Sequence, residues 1–310
     1  MIGITAVNGH IPAAGLDSAD LVRQFGVDVA FLEKIGIQRL AKKDPEEQPS
    51  DLCVKAFAAL CEGMDTPPSI SDIDFLCVCT QNGDYSLPQT SAVVHAKLGL
   101  PAAVASFDLA LGCSGYVYGL SVAKSFMEAN GLRCGLLFTA DPYSGILDMR
   151  DKHTALLFGD AAAVTLLTDS PRLTLGTSVF DTFGDKHEAL IRRPGQPLFM
   201  DGREIFNLVM RSVPRNIERC LKTNGLGKDD VDLFVLHQAN KYVIGGLTKL
   251  LGIPPEKVPF DIRGYGNTVS SSIPLVLRDY LTDDTANTML VSGFGVGLQA
   301  ASTILTRATA

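Results

Sequence analysis

The 310-residue sequence has no tryptophan, no long block of lysine and arginine, and no apolar run that matches a transmembrane helix. Its formal charge of −7 and pI near 5.2 argue against a nucleic-acid-binding protein. Residues 1–10 lack a basic segment before a long apolar stretch, so they predict a first β-strand and not a signal peptide. These absences indicate a globular protein that binds neither nucleic acid nor membrane, and we expect it in the cytoplasm.

The seven cysteines follow no disulfide spacing, and their odd number fits reduced thiols in the cytosol. Cys77 and Cys79 lie two residues apart with no second pair of ligands near them in the sequence, so they predict no zinc site. Four others fit small buried side chains: Cys53, Cys61, Cys134 and Cys220. Only Cys113 has a sequence context that sets it apart.

The two halves of the chain repeat each other. Residues 72–79 match residues 230–237, and Phe-Asp pairs at Phe107 and Phe260 follow at nearly the same offset. Each pair leads through a glycine to a polar residue and then to a predicted helix, and these polar residues are Cys113 and Asn267. The repeat predicts a duplicated α/β unit with a pseudo-twofold axis, one half at 1–170 and the other at 171–310.

The hydrophobic pattern alternates apolar strands with amphipathic helices. Strands are predicted at 2–8, 73–79, 104–109, 134–140, 161–168, 173–180, 231–236, 258–262, 287–292 and 300–306. Helices are predicted at 51–63, 89–98, 114–129, 203–223, 240–251 and 269–282. The nearly continuous apolar runs predict buried strands with helices on both faces, and residues 183–197 are expected to form an irregular loop.

Three polar residues are candidates for chemistry. Cys113 lies at the start of a predicted helix, where unpaired backbone N–H groups favour a thiolate. Taken singly, a buried cysteine, a hydrogen-bonded histidine at the end of a strand and an ordinary N-cap are the simpler interpretations of Cys113, His237 and Asn267. Their joint occurrence predicts a Cys/His/Asn site for covalent acyl chemistry.

The glycine-rich segment 293–297 is the last motif of the chain. An apolar strand follows it, whereas a dinucleotide-binding loop needs a helix there. Such a turn can instead direct a backbone N–H at a developing oxyanion.

With these residues the sequence resembles the thiolase-fold condensing enzymes, and most closely the β-ketoacyl-acyl-carrier-protein synthase III family. The resemblance runs nearly end to end. It includes Gly36, Ile37 and Arg39, the Cys113 segment, residues 158–160, 200–206, 237–240 and 266–268, and the closing glycine loop. It implies an α/β thiolase fold with five layers, α/β/α/β/α, and a homodimer.

The resemblance also implies a mechanism that needs no metal or redox cofactor. Cys113 attacks an acyl thioester, carried on coenzyme A or a carrier protein, while the backbone N–H groups of Cys113 and Val296 hold the oxyanion. His237 and Asn267 donate hydrogen bonds to a malonyl thioester on acyl carrier protein, and loss of CO2 leaves an enolate that attacks the acyl-cysteine. Phe294 packs beneath the two donors.

The residues implied to bind substrate are Lys34, Leu87, Lys152, Gly202, Phe206, Asn240 and Phe294. The tryptophan that clamps adenine in the family falls at Ala30, and its arginines become Lys34 and Lys152. These losses weaken adenine and phosphate binding, so acetyl-coenzyme A is not the expected primer. Leu87, before Pro88, replaces a phenylalanine that caps the acyl pocket across the dimer, which points to a longer or unusual acyl group.

Acyl carrier protein is acidic, so its docking needs a local basic patch on this acidic chain. The candidates are Arg211, Arg215, Lys241 and Lys249, with an ordinary solvated face as the alternative. We expect decarboxylative Claisen condensation, in fatty-acid initiation or in a specialised pathway such as polyketide synthesis. The alternatives are an acyltransferase that passes the acyl group to an alcohol or amine, and a non-catalytic subunit of a heterodimer. Asn267 favours condensation, because simple transfer needs no enolate site.

Overall fold

The structure is a computed structural model that describes residues 1–283, 285–295 and 298–308. The strands are β1 (Gly3–His10), β2 (Gly15–Asp17), β3 (Arg39–Ala41), β4 (Phe75–Cys79), β5 (Ala105–Leu109), β6 (Cys134–Ala140), β7 (Ala162–Thr168), β8 (Leu173–Leu175), β9 (Val179–Thr182), β10 (Leu190–Arg192), β11 (Leu198–Met200), β12 (Leu233–Leu236), β13 (Thr288–Gly295) and β14 (Gln299–Arg307). The helices are α1 (Ser18–Phe25), α2 (Val29–Ile35), α3 (Pro49–Glu62), α4 (Thr90–Leu98), α5 (Gly115–Asn130), α6 (Lys152–Ala155), α7 (Gly202–Thr223), α8 (Lys241–Leu251) and α9 (Ser272–Tyr280). Within these ranges, no helix is long and apolar enough to cross a membrane.

Ten of the described strands form one mixed sheet. The order is β12-β13-β14-β8-β1-β7-β6-β4-β5, and β9 also pairs with β14. β4 is parallel to β5 and β6, β12 is parallel to β13, and the other neighbours are antiparallel. β8 bonds to β1 through the single pair Ile4–Leu173, so the sheet consists of two parts joined at one narrow point.

Helices cover both parts and separate them. α5 and α9 lie in the middle, because each contacts strands of both parts. α3 and α4 cover the outer face of the part that contains β1 and β4–β7, while α7 and α8 cover the β12–β14 part. The layers therefore run helix, sheet, helix, sheet, helix, with large apolar cores on the sheet faces.

The helix α5 places the nucleophile candidate at its N-terminus. It approaches β4 closely, since a Cβ on Gly115 would lie 2.3 Å from the sulfur of Cys79. It ends at Gly131, which has the left-handed φ of 67° that favours glycine at a C-cap. The glycine at the start thus lets the helix, and Cys113 before it, lie directly over the sheet.

The strand predicted at 258–262 is wrong, because these residues belong to no strand. Pro259 has no N–H to donate to a ladder. The side chain of Gln238 occupies the backbone groups beside it: Nε2 donates to Pro259 O at 3.2 Å, and Oε1 accepts from Asp261 N at 3.1 Å. The side chain of Gln238 therefore makes the backbone hydrogen bonds that a neighbouring strand would otherwise make.

Other boundaries also differ from the prediction. The segment 173–180 is divided into β8 and β9, and residues 183–197 are not one loop, because they contain β10, which pairs with β11. The helix predicted from 269 begins with a 3-10 turn over Val269–Ser271 and becomes α-helical at Ser272. The remaining predicted strands and helices are confirmed within a few residues.

Candidate active site

Cys113, His237 and Asn267 line one cavity of about 370 Å³. Each is nearly inaccessible, with exposed fractions of 4%, 2% and 4%. The structure therefore brings together the three residues that the sequence proposed as catalytic. Much of the remaining lining is apolar and includes Leu157, Phe158, Leu190, Met200, Val209 and Val243.

Cys113 is held between the two parts of the sheet. It follows β5 and precedes α5. On the other side lies the end of β13, where a Cβ on Gly295 would be 2.8 Å from both Cβ and Sγ of Cys113. A Cβ on Gly293 would be 2.7 Å from the carbonyl oxygen of Cys113. The glycines of β13 thus leave room for the backbone and side chain of Cys113.

His237 directly follows β12, and its backbone N–H donates to Ser292 O at 2.8 Å. Its Nδ1 lies 2.6 Å from Ser272 Oγ. Burial lowers the pKa of His237 to about 3, so the imidazole is neutral at pH 7. The ring of Phe294 packs against it, with centroids 5.3 Å apart and an interplanar angle of 83°.

Asn267 is fixed by its own backbone and by its side chain. Its N–H donates to Leu157 O at 2.8 Å, and its carbonyl accepts from Gly159 N at 3.0 Å. The side-chain Oδ1 accepts from Val269 N at 2.9 Å. A backbone N–H can only donate, so the atom facing Val269 is the amide oxygen and Nδ2 is left as the donor.

Asp141 supports this turn and was not singled out from the sequence. It directly follows β6, is fully buried, and accepts from Gln81 N at 2.7 Å and Ser270 Oγ at 2.5 Å. Burial raises the pKa of Asp141 to about 6. An aspartate that ends an apolar strand is the signal that could have identified it, since strand ends are where such sheets place their sites.

An aromatic pair lies at the mouth of the cavity. Phe206 stacks on Tyr242 with centroids 5.2 Å apart and an interplanar angle of 26°, and both line the cavity. Lys34 Nζ lies 5.8 Å from the centre of the Tyr242 ring, within cation–π range. Phe206 and Lys34 were predicted to bind substrate, whereas Tyr242 was missed. Its aromatic side chain, directly after Lys241 and the His-Gln-Ala-Asn segment 237–240, was the available signal.

The other predicted binding residues have different positions. Gly202 and Asn240 line the cavity, and Asn240 Oδ1 also caps α8 by accepting from Val243 N at 2.9 Å. Lys152 begins α6 and does not line the cavity. Leu87 is 87% exposed in this chain and does not line the cavity either, while Val296 lies outside the described residues.

The four residues proposed for carrier-protein docking lie on two adjacent helices. Arg211 and Arg215 are exposed on α7, and Lys241 and Lys249 are exposed on α8, which packs against α7. None of the four forms a salt bridge with another described residue. The four cations are therefore exposed on two helices that pack against each other.

The sequence is similar to those of known proteins. The family model of 3-oxoacyl-[acyl-carrier-protein] synthase III matches residues 107–184, and the model of its C-terminal part matches residues 221–307. A β-ketoacyl-[acyl-carrier-protein] synthase III from Lactococcus lactis subsp. cremoris MG1363 is 33% identical over 271 residues, which are 81% of this chain and 82% of the relative. The chain belongs to the synthase III family.

Solved structures agree with this membership. A 3-oxoacyl-(acyl-carrier-protein) synthase from Burkholderia xenovorans LB400 has a TM-score of 0.89 at 33% identity, covering 99% of this chain and 94% of the other. The synthase III from Aquifex aeolicus VF5 has a TM-score of 0.91 at 26% identity, with coverages of 99% and 100%. The priming β-ketosynthase of the R1128 polyketide pathway has a TM-score of 0.88 at 26% identity, with coverages of 99% and 96%.

As a synthase III, the chain has the α/β thiolase fold that the sequence predicted, and it is an enzyme of the transferase class. Membership also fits the site, since an acyl-transferring condensing enzyme needs a nucleophile and an enolate site in one enclosed space. The cavity brings Cys113, His237 and Asn267 together.

Proposed function

We propose that this enzyme condenses an acyl group bound to Cys113 with a malonyl thioester on acyl carrier protein, releasing CO2. The observation that carries the proposal is that Cys113, the neutral imidazole of His237 and the amide of Asn267 line one cavity, each nearly inaccessible to solvent. Two such donors aimed at one oxygen stabilise an enolate, and a nucleophile that only relays acyl groups has no need of them. The acyltransferase alternative is therefore not favoured.

The steps balance as follows. The thiolate of Cys113 attacks the carbonyl carbon of an acyl thioester, and the thiol of the donor leaves. The bond between the malonyl carbon and its carboxylate then breaks, CO2 departs, and the electron pair becomes the enolate whose oxygen accepts from His237 and Asn267. The enolate carbon attacks the acyl carbonyl, and the thiolate of Cys113 is released. Loss of one such donor typically costs about 100- to 1,000-fold in rate.

The residues at the mouth of the cavity support the proposal that the coenzyme A or carrier protein bearing the acyl group binds there. The stacked rings of Phe206 and Tyr242 lie at the entrance with the cation of Lys34, and Gly202 and Asn240 also line the cavity. A lysine in place of arginine at Lys34 and Lys152 cannot form the bidentate contacts of a guanidinium, which supports a weakened coenzyme A clamp. Leu87 would act in the pocket of a second copy.

The basic face on α7 and α8 is the proposed docking site for the carrier protein. Its four exposed cations lie on α7 and α8, and both of these helices also contribute residues to the cavity lining. An acidic partner would approach this face, although the chain as a whole carries a charge of −7.

We further propose that the enzyme is a cytoplasmic homodimer whose halves, 1–170 and 171–310, arose by duplication. β5 supports the dimer, since it is an edge strand bonded only to β4 among the described residues, and its side chains are half-buried. All seven cysteines are described and none is in a disulfide, as a reducing compartment favours. Cys113 and Asn267 support the duplication, because each lies at the start of a middle-layer helix.

Intact-protein mass spectrometry tests the covalent step. Wild-type enzyme is incubated with short, long and branched acyl donors on coenzyme A and on carrier protein, beside Cys113→Ala and the matched buried variant Cys220→Ala. We expect an acyl mass on the wild type and on Cys220→Ala, and none on Cys113→Ala. Absence of the adduct with every donor, or its persistence in Cys113→Ala, would reject the mechanism.

Release of CO2 from malonyl-carrier protein then tests condensation. The acylated wild type should release CO2 and form a 3-oxoacyl product. An acylated enzyme that releases none, but transfers its acyl group to an alcohol or amine, would favour the alternative function.

A further inference from the structure

The proposed reaction requires His237 to donate a hydrogen bond, and this depends on which ring nitrogen carries the proton. A neutral imidazole has one N–H and one lone pair. Nδ1 is occupied by Ser272 Oγ at 2.6 Å, which leaves Nε2 for the cavity that His237 lines. The ring can therefore donate into the cavity only as the Nε2–H tautomer.

The surroundings of Ser272 favour that tautomer. Ser272 is fully buried at the first turn of α9, and its Oγ accepts from Gln238 N at 3.3 Å. Among the described residues, Nδ1 is the one acceptor within hydrogen-bonding distance of this hydroxyl. If Nδ1 carried the proton, the hydroxyl hydrogen would be buried without a partner, which is unfavourable. If Nε2 carries it, the hydroxyl donates to Nδ1 and every group is paired.

The polarity of this contact is opposite to that of a Ser-His-Asp triad. There a carboxylate accepts from Nδ1–H and leaves Nε2 free to act as a base. Here the ring faces Ser272 from α9 and Phe294 from β13, and burial is the one cause that acts on its titration. A neutral hydroxyl that donates to Nδ1 instead leaves Nε2–H as a fixed donor.

We propose that Ser272 is a positioning residue that holds His237 in the Nε2–H form, so that the histidine acts as a hydrogen-bond donor and not as a base. The mechanistic importance of this role rests on the proposed condensation. The tautomer itself is a property of the resting enzyme and can be measured without any substrate.

The first test is NMR of the full-length enzyme labelled with 15N-histidine at pH 7. The ring nitrogens of His237 are assigned by their loss in His237→Gln. We expect a protonated Nε2 and an unprotonated Nδ1 in the wild type, and a mixture of tautomers or a changed Nδ1 shift in Ser272→Ala. A wild-type ring protonated at Nδ1 would overturn the proposal, and this measurement needs no variant of Ser272.

The second test separates the two half-reactions. In Ser272→Ala, the rate of Cys113 acylation should stay near that of the wild type, while CO2 release from malonyl-carrier protein falls between about tenfold and a hundredfold. Ser272→Thr keeps the hydroxyl and should recover most of the rate.

Ser271→Ala is the matched control. Ser271 is equally buried on the same turn, but its Oγ donates to Thr139 O at 2.9 Å and does not contact His237. It should keep the wild-type tautomer. Unchanged CO2 release and an unchanged His237 spectrum in Ser272→Ala would reject the positioning role. If the wild type is never acylated or releases no CO2, the proposed function fails instead, and the spectra still decide the tautomer.

Discussion

The chemistry of single side chains in this site is set by burial and by backbone donors. His237 and Asn267 are ordinary polar residues in the sequence, and neither carries a charge that could be recognised as catalytic. Enclosure keeps the histidine neutral, and Val269 N orients the amide of the asparagine. Residue type and spacing therefore predicted which three polar residues line one cavity. Signals for Asp141 and Tyr242 were present in the sequence but were not used, whereas the contact of Ser272 with His237 joins residues 35 positions apart and had no local signal.

Burial of neutral His237 should make the fold sensitive to acid. Its pKa is about 3 in the folded protein and near 6.5 in an unfolded chain, so below pH 6.5 the unfolded state binds more protons. The stability tied to this group is complete above pH 6.5 and falls by about 1.4 kcal/mol per pH unit as pH drops toward 3. Between pH 7 and pH 5, the wild type should lose about 2 kcal/mol more than His237→Gln in urea unfolding.

The exposed histidine His153 gives the control for this experiment. His153→Gln should retain the acid sensitivity of the wild type, because it leaves the buried ring of His237 in place. Equal losses in the wild type and His237→Gln would show that the ring is not held neutral. Protein concentration must be the same throughout, since any dimer makes stability depend on it.

Gly295 should be essential for acylation. An alanine there would place Cβ 2.8 Å from Sγ of Cys113, and the φ of +151° is rarely adopted by other residues. We expect Gly295→Ala to remain folded but to load acyl groups at least about tenfold more slowly, because about 1 Å of displacement of a reacting atom has large effects on rate. Gly245→Ala, in α8 where a Cβ meets no atom within 4 Å, should load at the wild-type rate. Normal loading by Gly295→Ala would contradict the close packing of β13 on the nucleophile.

Helices and strands were predicted correctly where the hydrophobic periodicity and the end-capping residues indicated the same element. α5 was predicted at 114–129 from its apolar spacing, and it spans Gly115–Asn130 with Gly131 as its C-cap. α1 and α2 were missed because eight and seven residues are too few for periodicity to show, although Asp17 and Asp28 cap them. The strand at 258–262 failed for the opposite reason: its apolar pattern was sound, but the side chain of Gln238 took its backbone partners.

The N-cap of α8 allows the structural and substrate roles of Asn240 to be separated. Its Oδ1 accepts from Val243 N, so Asn240→Ala should lower the free energy of unfolding by about 1 kcal/mol. Asn240→Asp keeps a capping oxygen and should be nearly as stable as the wild type, but it loses the amide donor at the cavity. A raised KM for the acyl donor in Asn240→Asp alone would assign a substrate contact. Equal stability of Asn240→Ala and the wild type in urea unfolding would show that the cap contributes nothing.

For the whole molecule, the alternation of strands and helices predicted buried strands with helices on both faces, while the five layers followed from the family resemblance. The Phe-Asp repeat located both turns that carry polar residues into the site. The joining of the two sheet parts through the single pair Ile4–Leu173 was not predictable, because it depends on how the parts pack. The formation of a dimer is harder still to predict, because it depends on the surface through which two copies of the chain would contact each other.

Substitution of two exposed leucines tests whether the proposed dimer interface includes β5 and its neighbours. Leu87 is 87% exposed on the segment between β4 and α4, on the side of the edge strand β5, whereas Leu250 is 59% exposed on α8. If β5 and its neighbours form a twofold interface, Leu87→Asp buries an unpaired charge twice, once in each copy. Sedimentation should then show a wild-type dimer, a shift toward monomer at low concentration for Leu87→Asp, and no shift for Leu250→Asp. A monomeric wild type, or a shift caused only by Leu250→Asp, would place the interface elsewhere or reject it.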